Sequence, residues 1–170
     1  MNREEWLEER KKGIGGSDVA CILGMSPYKT NVELWEEKIG IREPEDISQK
    51  EYVQNGILAE DPIAQLFAID YPQYEVVNIE NEIIRNEEYP FIQVSPDRRL
   101  IEKETGRQGF LEIKHVEILN SAQYQKWKDN NIPMNYYTQT LQYFLANKDF
   151  DFGYLRAYLI RKFPERKTFV

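Results

Sequence analysis

Cysteine and histidine are almost absent: Cys21 and His115 are the only examples in 170 residues. A lone cysteine excludes an intramolecular disulfide framework, a cysteine-based zinc site and a Cys-ligated iron–sulfur cluster, and it suits a reducing cytoplasm. No apolar run approaches the roughly 18 residues of a membrane helix. The opening Met1-Asn2-Arg3-Glu4-Glu5-Trp6 is too charged for a secretory signal. There are no internal repeats and no low-complexity tract. Net positive charge is lacking too, the balance being −7, which argues against broad cationic coating of nucleic acid. That balance is uneven: residues 1–109 hold 13 Lys+Arg against 23 Asp+Glu, and residues 110–170 hold 9 against 6. A local basic strip acting with metal ions therefore stays open. What is present, 41% hydrophobic and 30% charged residues, describes one soluble globular domain with a real core.

The most informative stretch is Ser95-Pro96-Asp97 followed by Glu112-Ile113-Lys114. The pattern predicts a hairpin: residues 91–95 rise, 99–101 turn over, and 109–115 return, with the polar turn Glu104-Thr105-Gly106-Arg107 between the last two. Alternate strand residues share a face, so Glu112 and Lys114 point one way while Leu111 and Ile113 point to the core. Asp97, Glu112 and the Ile113 carbonyl then offer oxygen ligands to a hard cation such as Mg²⁺. A lysine beside a metal-bound water can position or deprotonate it for attack on phosphorus. Taken alone, the pattern fits an ordinary surface hairpin with cross-strand charge pairs better than a metal site.

Earlier in the chain, a short charged helix is expected over 6–12. It leads into Gly13-Ile14-Gly15-Gly16-Ser17-Asp18 and a helix over 17–24, with Ser17 as N-cap and Gly24 as stop. Glycines before a helix N-terminus expose N–H groups, so Ser17 and Arg10 could hold a phosphate there. A plain capped helix explains the same residues. Thr30-Asn31-Val32-Glu33 is a capping box for a helix over 31–39, and Ser48-Gln49-Lys50-Glu51 a second for a helix over 49–68. On the latter, Glu60 shares a stripe with Val53, Gly56, Ile57, Ala64 and Phe67. A carboxylate there must be paired, bound to a cation or placed at the rim; Pro62 marks a kink just beyond.

Strands are expected over 74–78, 82–85 and 150–160, and helices over 119–129 and 134–146. Tyr137, Leu141, Phe144 and Leu145 are the expected core face of the last helix, leaving Gln139 and Gln142 toward solvent. Residues 161–167 form a basic segment. Lys167-Thr168-Phe169-Val170 reads as a strand just beginning, either a short edge strand or part of a longer chain, the second being the expectation.

Taken together, Arg10, Gly15-Gly16-Ser17-Asp18, Leu34-Trp35-Glu36-Glu37-Lys38, Gly56, Glu60, Pro62, Ser95-Pro96-Asp97, Glu112-Ile113-Lys114 and Gln139 closely resemble the YqaJ-like viral recombinase family. That family groups with lambda exonuclease in the PD-(D/E)XK nuclease superfamily. The resemblance runs from about Trp6 to about Ile160. It implies an α/β fold with a restriction-endonuclease-like core, a central mixed β-sheet flanked by helices, built as a single domain over 1–170 that is expected to lack the C-terminal strand and helices with which the relatives continue. It further implies that Asp97, Glu112 and the Ile113 carbonyl are metal ligands, with Glu60 a further acidic residue near the metals. Lys114 would assist the attacking water, Gln139 would line the active site, and Arg10, Gly16 and Ser17 would hold a 5′-terminal phosphate. The implied cofactor is Mg²⁺, with Mn²⁺ as the alternative, bound as two ions.

The implied activity is 5′ to 3′ resection of linear double-stranded DNA in phage-type recombination. The setting would be the cytoplasm of a bacterial host carrying a phage or prophage, with a single-strand annealing protein as partner and a trimeric ring as the lambda relative's active form. An endonuclease of the same fold and a non-catalytic DNA-binding remnant are the alternatives. His115, beside the site on the opposite strand face, receives no role.

Overall fold

A computed structural model describes residues 1–161. The expectations for 162–170, the basic segment and the incipient strand, lie outside the described residues. Helix α1 (Arg3–Lys11) opens with a capping box between Asn2 and Glu5, and Trp6 is its buried residue. A 3₁₀ turn (Gly16–Asp18) runs into the short α2 (Val19–Ile22), and α3 spans Asn31–Lys38. The long α4 covers Glu51–Asp70. Strands β1 (Tyr74–Asn78), β2 (Ile84–Arg85), β3 (Gln93–Val94), β4 (Arg98–Glu102) and β5 (Gln108–Ile118) follow. The short α5 (Ser121–Gln125), then α6 (Met134–Ala146) and β6 (Phe150–Arg161) complete the described chain.

The main sheet has the order β1-β4-β5-β6. Its first two pairings are antiparallel and β5 runs parallel to β6. A parallel pair needs a crossover, and α6 supplies it. Both sheet faces are covered. On one, Ile63, Ala64 and Phe67 of α4 pack on Leu100, Leu111 and Ile113. On the other, Tyr143 and Ala146 of α6 pack with Val94, Phe110 and Phe150. Two-sided cover explains why β5 buries five consecutive residues, Gly109 to Ile113, instead of alternating. Gly153 sits opposite Phe110 in the β5–β6 register, and a Cβ there would stand 2.2 Å from the Phe110 ring. The absent side chain makes room for that ring.

Several sequence expectations need correction. The stretch 91–95 is not a leg of the main hairpin: Gln93–Val94 pairs with Ile84–Arg85 in a separate two-stranded ribbon. Ile92 and Gln93 instead take up the glycine segment, through an Ile14–Ile92 bridge and a Gln93 N–H donating to the Ile14 carbonyl at 3.0 Å. Ser17 caps nothing, because Asp18 does that work by accepting the Gly15 N–H at 2.9 Å. The Ser48 box does not form. Ser48 is drawn into a turn by Asp46, and α4 starts at Glu51 without a side-chain cap. Thr30 and Glu33 do form their reciprocal box.

The helix expected over 119–129 is cut short after Gln125, and Asp129 and Asn130 adopt left-handed φ angles of 56° and 60°. Helix α6 has the expected limits but a different inner face. Thr138, Gln142, Tyr143 and Ala146 are buried, whereas Tyr137, Leu141, Phe144 and Leu145 are exposed. Polar neighbours decide the rotation, since buried Glu112 and the Ile14 carbonyl need donors and α6 supplies them.

Candidate active site

The site lies where β4 turns away from β5. The last register pair is Arg98 with Leu111, so the edge of β5 beyond it has lost its neighbour. Asp97 fills the gap: its Oδ2 accepts the Ile113 N–H at 2.6 Å. In an extended strand the N–H and C=O of one residue leave on the same edge, so the Ile113 carbonyl also faces this gap. Arg98, 6% exposed, fixes the turn by donating to the Asp97 carbonyl at 2.5 Å and pairing with Asp61 of α4.

Glu112 and Lys114 point to the α6 side, as the strand alternation predicts. Glu112 is 2% exposed and accepts three donors: Lys114 Nζ, Gln139 Nε2 at 2.7 Å and the Tyr143 hydroxyl at 2.5 Å. Tyr136, Gln139 and Tyr143 line one stripe of α6. Gln139 also donates to the Tyr143 oxygen at 2.7 Å, and Lys114 Nζ lies 5.3 Å from the Tyr136 ring centre.

Glu60 reaches the same cleft from α4, whose helix continues through Pro62. Burial raises its pKa; nearby Arg98 opposes the shift and Glu112 adds to it. Asp97 is pushed well above the ordinary aspartate value, by burial first and by the Glu112 charge second. Burial pulls the Lys114 ammonium down, but the Glu112 and Asp97 charges outweigh it and leave Lys114 above the usual lysine value. Burial likewise drives the Tyr143 phenol far up, with Glu112 adding to it, so it remains a donor.

The glycine segment supplies the opposite wall. Pairing of Ile14 with residues 91–93 brings Gly15, Gly16 and Ser17 into one cleft of about 430 Å³ with Glu60, Asp97, Glu112 and Lys114. Lys38 fastens the segment from below, donating to the Gly13 carbonyl at 2.6 Å and pairing with Asp18 at 2.7 Å. A Cβ on Gly16 would stand 2.7 Å from Tyr143 and 3.1 Å from Gln139, so this backbone can meet α6 only as glycine. Arg10 donates to Ser17 Oγ at 3.5 Å, and its guanidinium lies 4.4 Å from the Trp6 ring centre. Arg3 lies 4.5 Å from the same ring, and Trp6 is tied to the Asp97 loop by a 3.0 Å bond to Ser95. Neither arginine joins an ion pair among the described residues.

Every sequence-predicted site residue thus borders one cleft: Arg10, Gly16, Ser17, Glu60, Asp97, Glu112, Lys114 and Gln139 line it, and Ile113 sits at its edge through Asp97. Sequence reasoning missed Tyr143. The usable signal was its spacing, four residues after Gln139 and so on the same helix face. His115 stands apart, stacked on Tyr158 with ring centres 6.2 Å apart.

The donor set suits a hard divalent cation. One Asp97 oxygen is taken by Ile113, and Glu112 has three of its roughly four lone-pair sites filled, leaving room for a ligand bond on each. Among the described residues no three His, Cys, Asp or Glu side chains converge closely enough to hold a metal ion by themselves. Two carboxylates plus a carbonyl fit an ion that keeps several waters, as Mg²⁺ does.

Comparison with known proteins agrees with this geometry. Over 143 residues the chain is 39% identical to the uncharacterized protein YqaJ of Bacillus subtilis (strain 168), a match covering 84% of this chain and 42% of that protein. The chain therefore spans less than half the length of this relative. In three dimensions it resembles an alkaline exonuclease, LHK-Exo, from Laribacter hongkongensis, with a TM-score of 0.69 at 18% identity, over 92% of this chain and 74% of that one. The structure of LHK-Exo in complex with dAMP gives 0.68, also at 18% identity, over 91% and 73%. The shared fold is mixed α/β, a central mixed sheet flanked by helices. A model of the YqaJ-like viral recombinase domain matches residues 5–147, and the chain belongs to that family.

Proposed function

We propose that this chain is a metal-dependent DNA exonuclease domain that resects linear double-stranded DNA from its ends, 5′ to 3′, in phage-type recombination. One observation carries the reading: an unpaired arginine beside a glycine–serine turn and a carboxylate–lysine cluster share a single cleft. Likeness in fold to an alkaline exonuclease, one structure of which holds dAMP, supports it.

In this reading Asp97, Glu112 and the Ile113 carbonyl hold Mg²⁺, or Mn²⁺ in its place, with Glu60 available to a second ion. Bound there, the metal stabilises negative charge at the phosphoryl group and lowers the pKa of water. Lys114, a cation fixed by Glu112, orients the attacking water and meets charge as it develops. Gln139 and Tyr143 keep the Glu112 carboxylate from turning, which holds its remaining lone pair toward the cleft. Arg10, Ser17 and the Gly16 N–H take the 5′-terminal phosphate and so set where the strand lies relative to the carboxylates. The same reading places the protein in the cytoplasm of a bacterial host, hands the resected strand to an annealing protein, and allows a trimeric ring.

Incubating linear and covalently closed circular duplex DNA with the protein, in Mg²⁺ or in EDTA, tests it. Loss of the linear form alone, and only with Mg²⁺, is expected. Cutting of the circle would replace the exonuclease with an endonuclease, and digestion in EDTA would remove the metal from the reading.

A further inference from the structure

Trp6, the buried residue of α1 at 8% exposed, touches both halves of the cleft. Arg3 lies three residues before it and Arg10 four after, so all three share a helix face. Their guanidinium carbons stand 4.5 Å and 4.4 Å from its ring centre, each a cation drawn to the negative face of the indole. Two cations on one ring repel each other, and neither is in an ion pair among the described residues. An anion taken up by Arg10 would relieve that repulsion. The indole edge faces the other way. Its N–H donates to Ser95 Oγ at 3.0 Å, and Ser95 donates in turn to the Glu82 carbonyl. Ser95 stands two residues before Asp97, with Pro96 between them. Proline fixes its own φ and restricts the residue before it, so this short span passes on a displacement instead of absorbing it. Among the described residues the Asp97 carboxylate has one hydrogen-bond donor, the Ile113 N–H at 2.6 Å, so its seat depends on the span that carries it.

We propose that Trp6 is a positioning residue that couples the phosphate site at Arg10 to the seat of Asp97. An anion on Arg10 steadies the guanidinium–indole stack, the indole N–H then holds Ser95 more firmly, and Asp97 stays bonded to Ile113 for more of the time. The inference rests on the exonuclease reading for the phosphate, and on the contacts of Trp6 for the path. Coupling of this kind needs no change of shape, because a ligand that rigidifies the path spares the next one part of the ordering cost. It gives the carboxylate cluster a way to respond to the kind of end in the cleft. An end without its phosphate meets a looser Asp97.

The test is amide hydrogen exchange at Ile113, read by NMR in EDTA to prevent cleavage. The protein is saturated with a blunt duplex bearing either a 5′-phosphate or a 5′-hydroxyl. Both duplexes cover the protein alike, so their difference isolates the phosphate. In wild type the phosphorylated duplex should slow Ile113 exchange about two- to tenfold more than the hydroxyl one, the worth of one net hydrogen bond. Trp6→Phe keeps a ring for the arginines and lacks the N–H; Ser95→Ala keeps the indole and lacks its acceptor. Each should bind the phosphorylated duplex as tightly as wild type, yet exchange Ile113 equally with both duplexes. Equal exchange in wild type overturns the coupling. A difference that persists in the variants takes the path away from Trp6 and overturns the proposal too, as does weakened phosphate binding by Trp6→Phe. A melting curve shows whether each variant is folded, and where one is not, the other decides. Adding Mg²⁺ keeps the two readings apart. If wild type then digests neither duplex, the exonuclease reading falls while the exchange comparison still decides the coupling; if it binds neither, both fall.

Discussion

A carboxylate buried to the extent of Glu112, 2% exposed, is tolerated only if its lone pairs are met. Lys114, Gln139 and Tyr143 meet three of them. Asp97 is less well served: one backbone N–H stands against burial and a carboxylate neighbour, which raise its pKa well above the ordinary value. A site that strains against its own negative charge should gain from a cation. Asp97→Asn keeps an acceptor for the Ile113 N–H and removes that charge, so the metal-free variant should melt no lower than wild type. Mg²⁺ should raise the melting temperature of wild type by mass action and leave the variant unmoved; an equal rise in both would remove Asp97 from the ligand set. Gly16→Ala tests the link between the two walls of the cleft. Its Cβ would press on Tyr143 at 2.7 Å, so a loss of about 1–3 kcal/mol in denaturant unfolding is expected. Cleavage should fall with it as Glu112 loses its fixed partner. A variant as stable and active as wild type would mean the segment simply moves aside.

Among elements, α6 and β5 do the most. Helix α6 bridges the parallel pair and presents Tyr136, Gln139 and Tyr143 along the strand face that carries Glu112 and Lys114. The β5–β6 pair depends on close approach: Phe110 meets Tyr143, Phe144 and Phe150 edge-on, and Gly153 leaves it space. Gly153→Ala should therefore overpack this layer and destabilise by about 1–3 kcal/mol, read from denaturant unfolding. A shift within ±0.5 kcal/mol, about that of a surface substitution, would show that the layer has slack.

Much at this scale was legible in the sequence. Alternation correctly puts Glu112 and Lys114 on one face, and α6 has the expected limits. The illegible parts share a cause. The apolar stripe is the expected inner face of α6, but the buried groups that this helix must satisfy are polar, so Gln142 and Tyr143 turn inward. Ser17 looked like a cap until Asp18, one residue on, took the Gly15 N–H. The ribbon at 93–94 depends on residues 84–85 and on Ile14, contacts that no local pattern announces.

For the molecule as a whole, an acidic balance of −7 is compatible with the proposed DNA substrate because a few cations are gathered at the cleft. Arg3 and Arg10 stand over one indole at one wall and Lys114 holds the centre. The two layers of helices on the sheet keep these walls apart, with α4 bringing Glu60 and α6 bringing Gln139 to the same cleft. Contacts confined to one groove should give a shallow salt dependence of duplex binding, set by a few phosphates.

The most direct measurement is digestion of a 5′-phosphorylated linear duplex in Mg²⁺ by wild type and by Lys114→Ala, each first shown to be folded by its melting curve. Wild type should degrade the DNA, and Lys114→Ala should bind it without degrading it. Digestion by Lys114→Ala at the wild-type rate would contradict the assignment of this cleft as the active site.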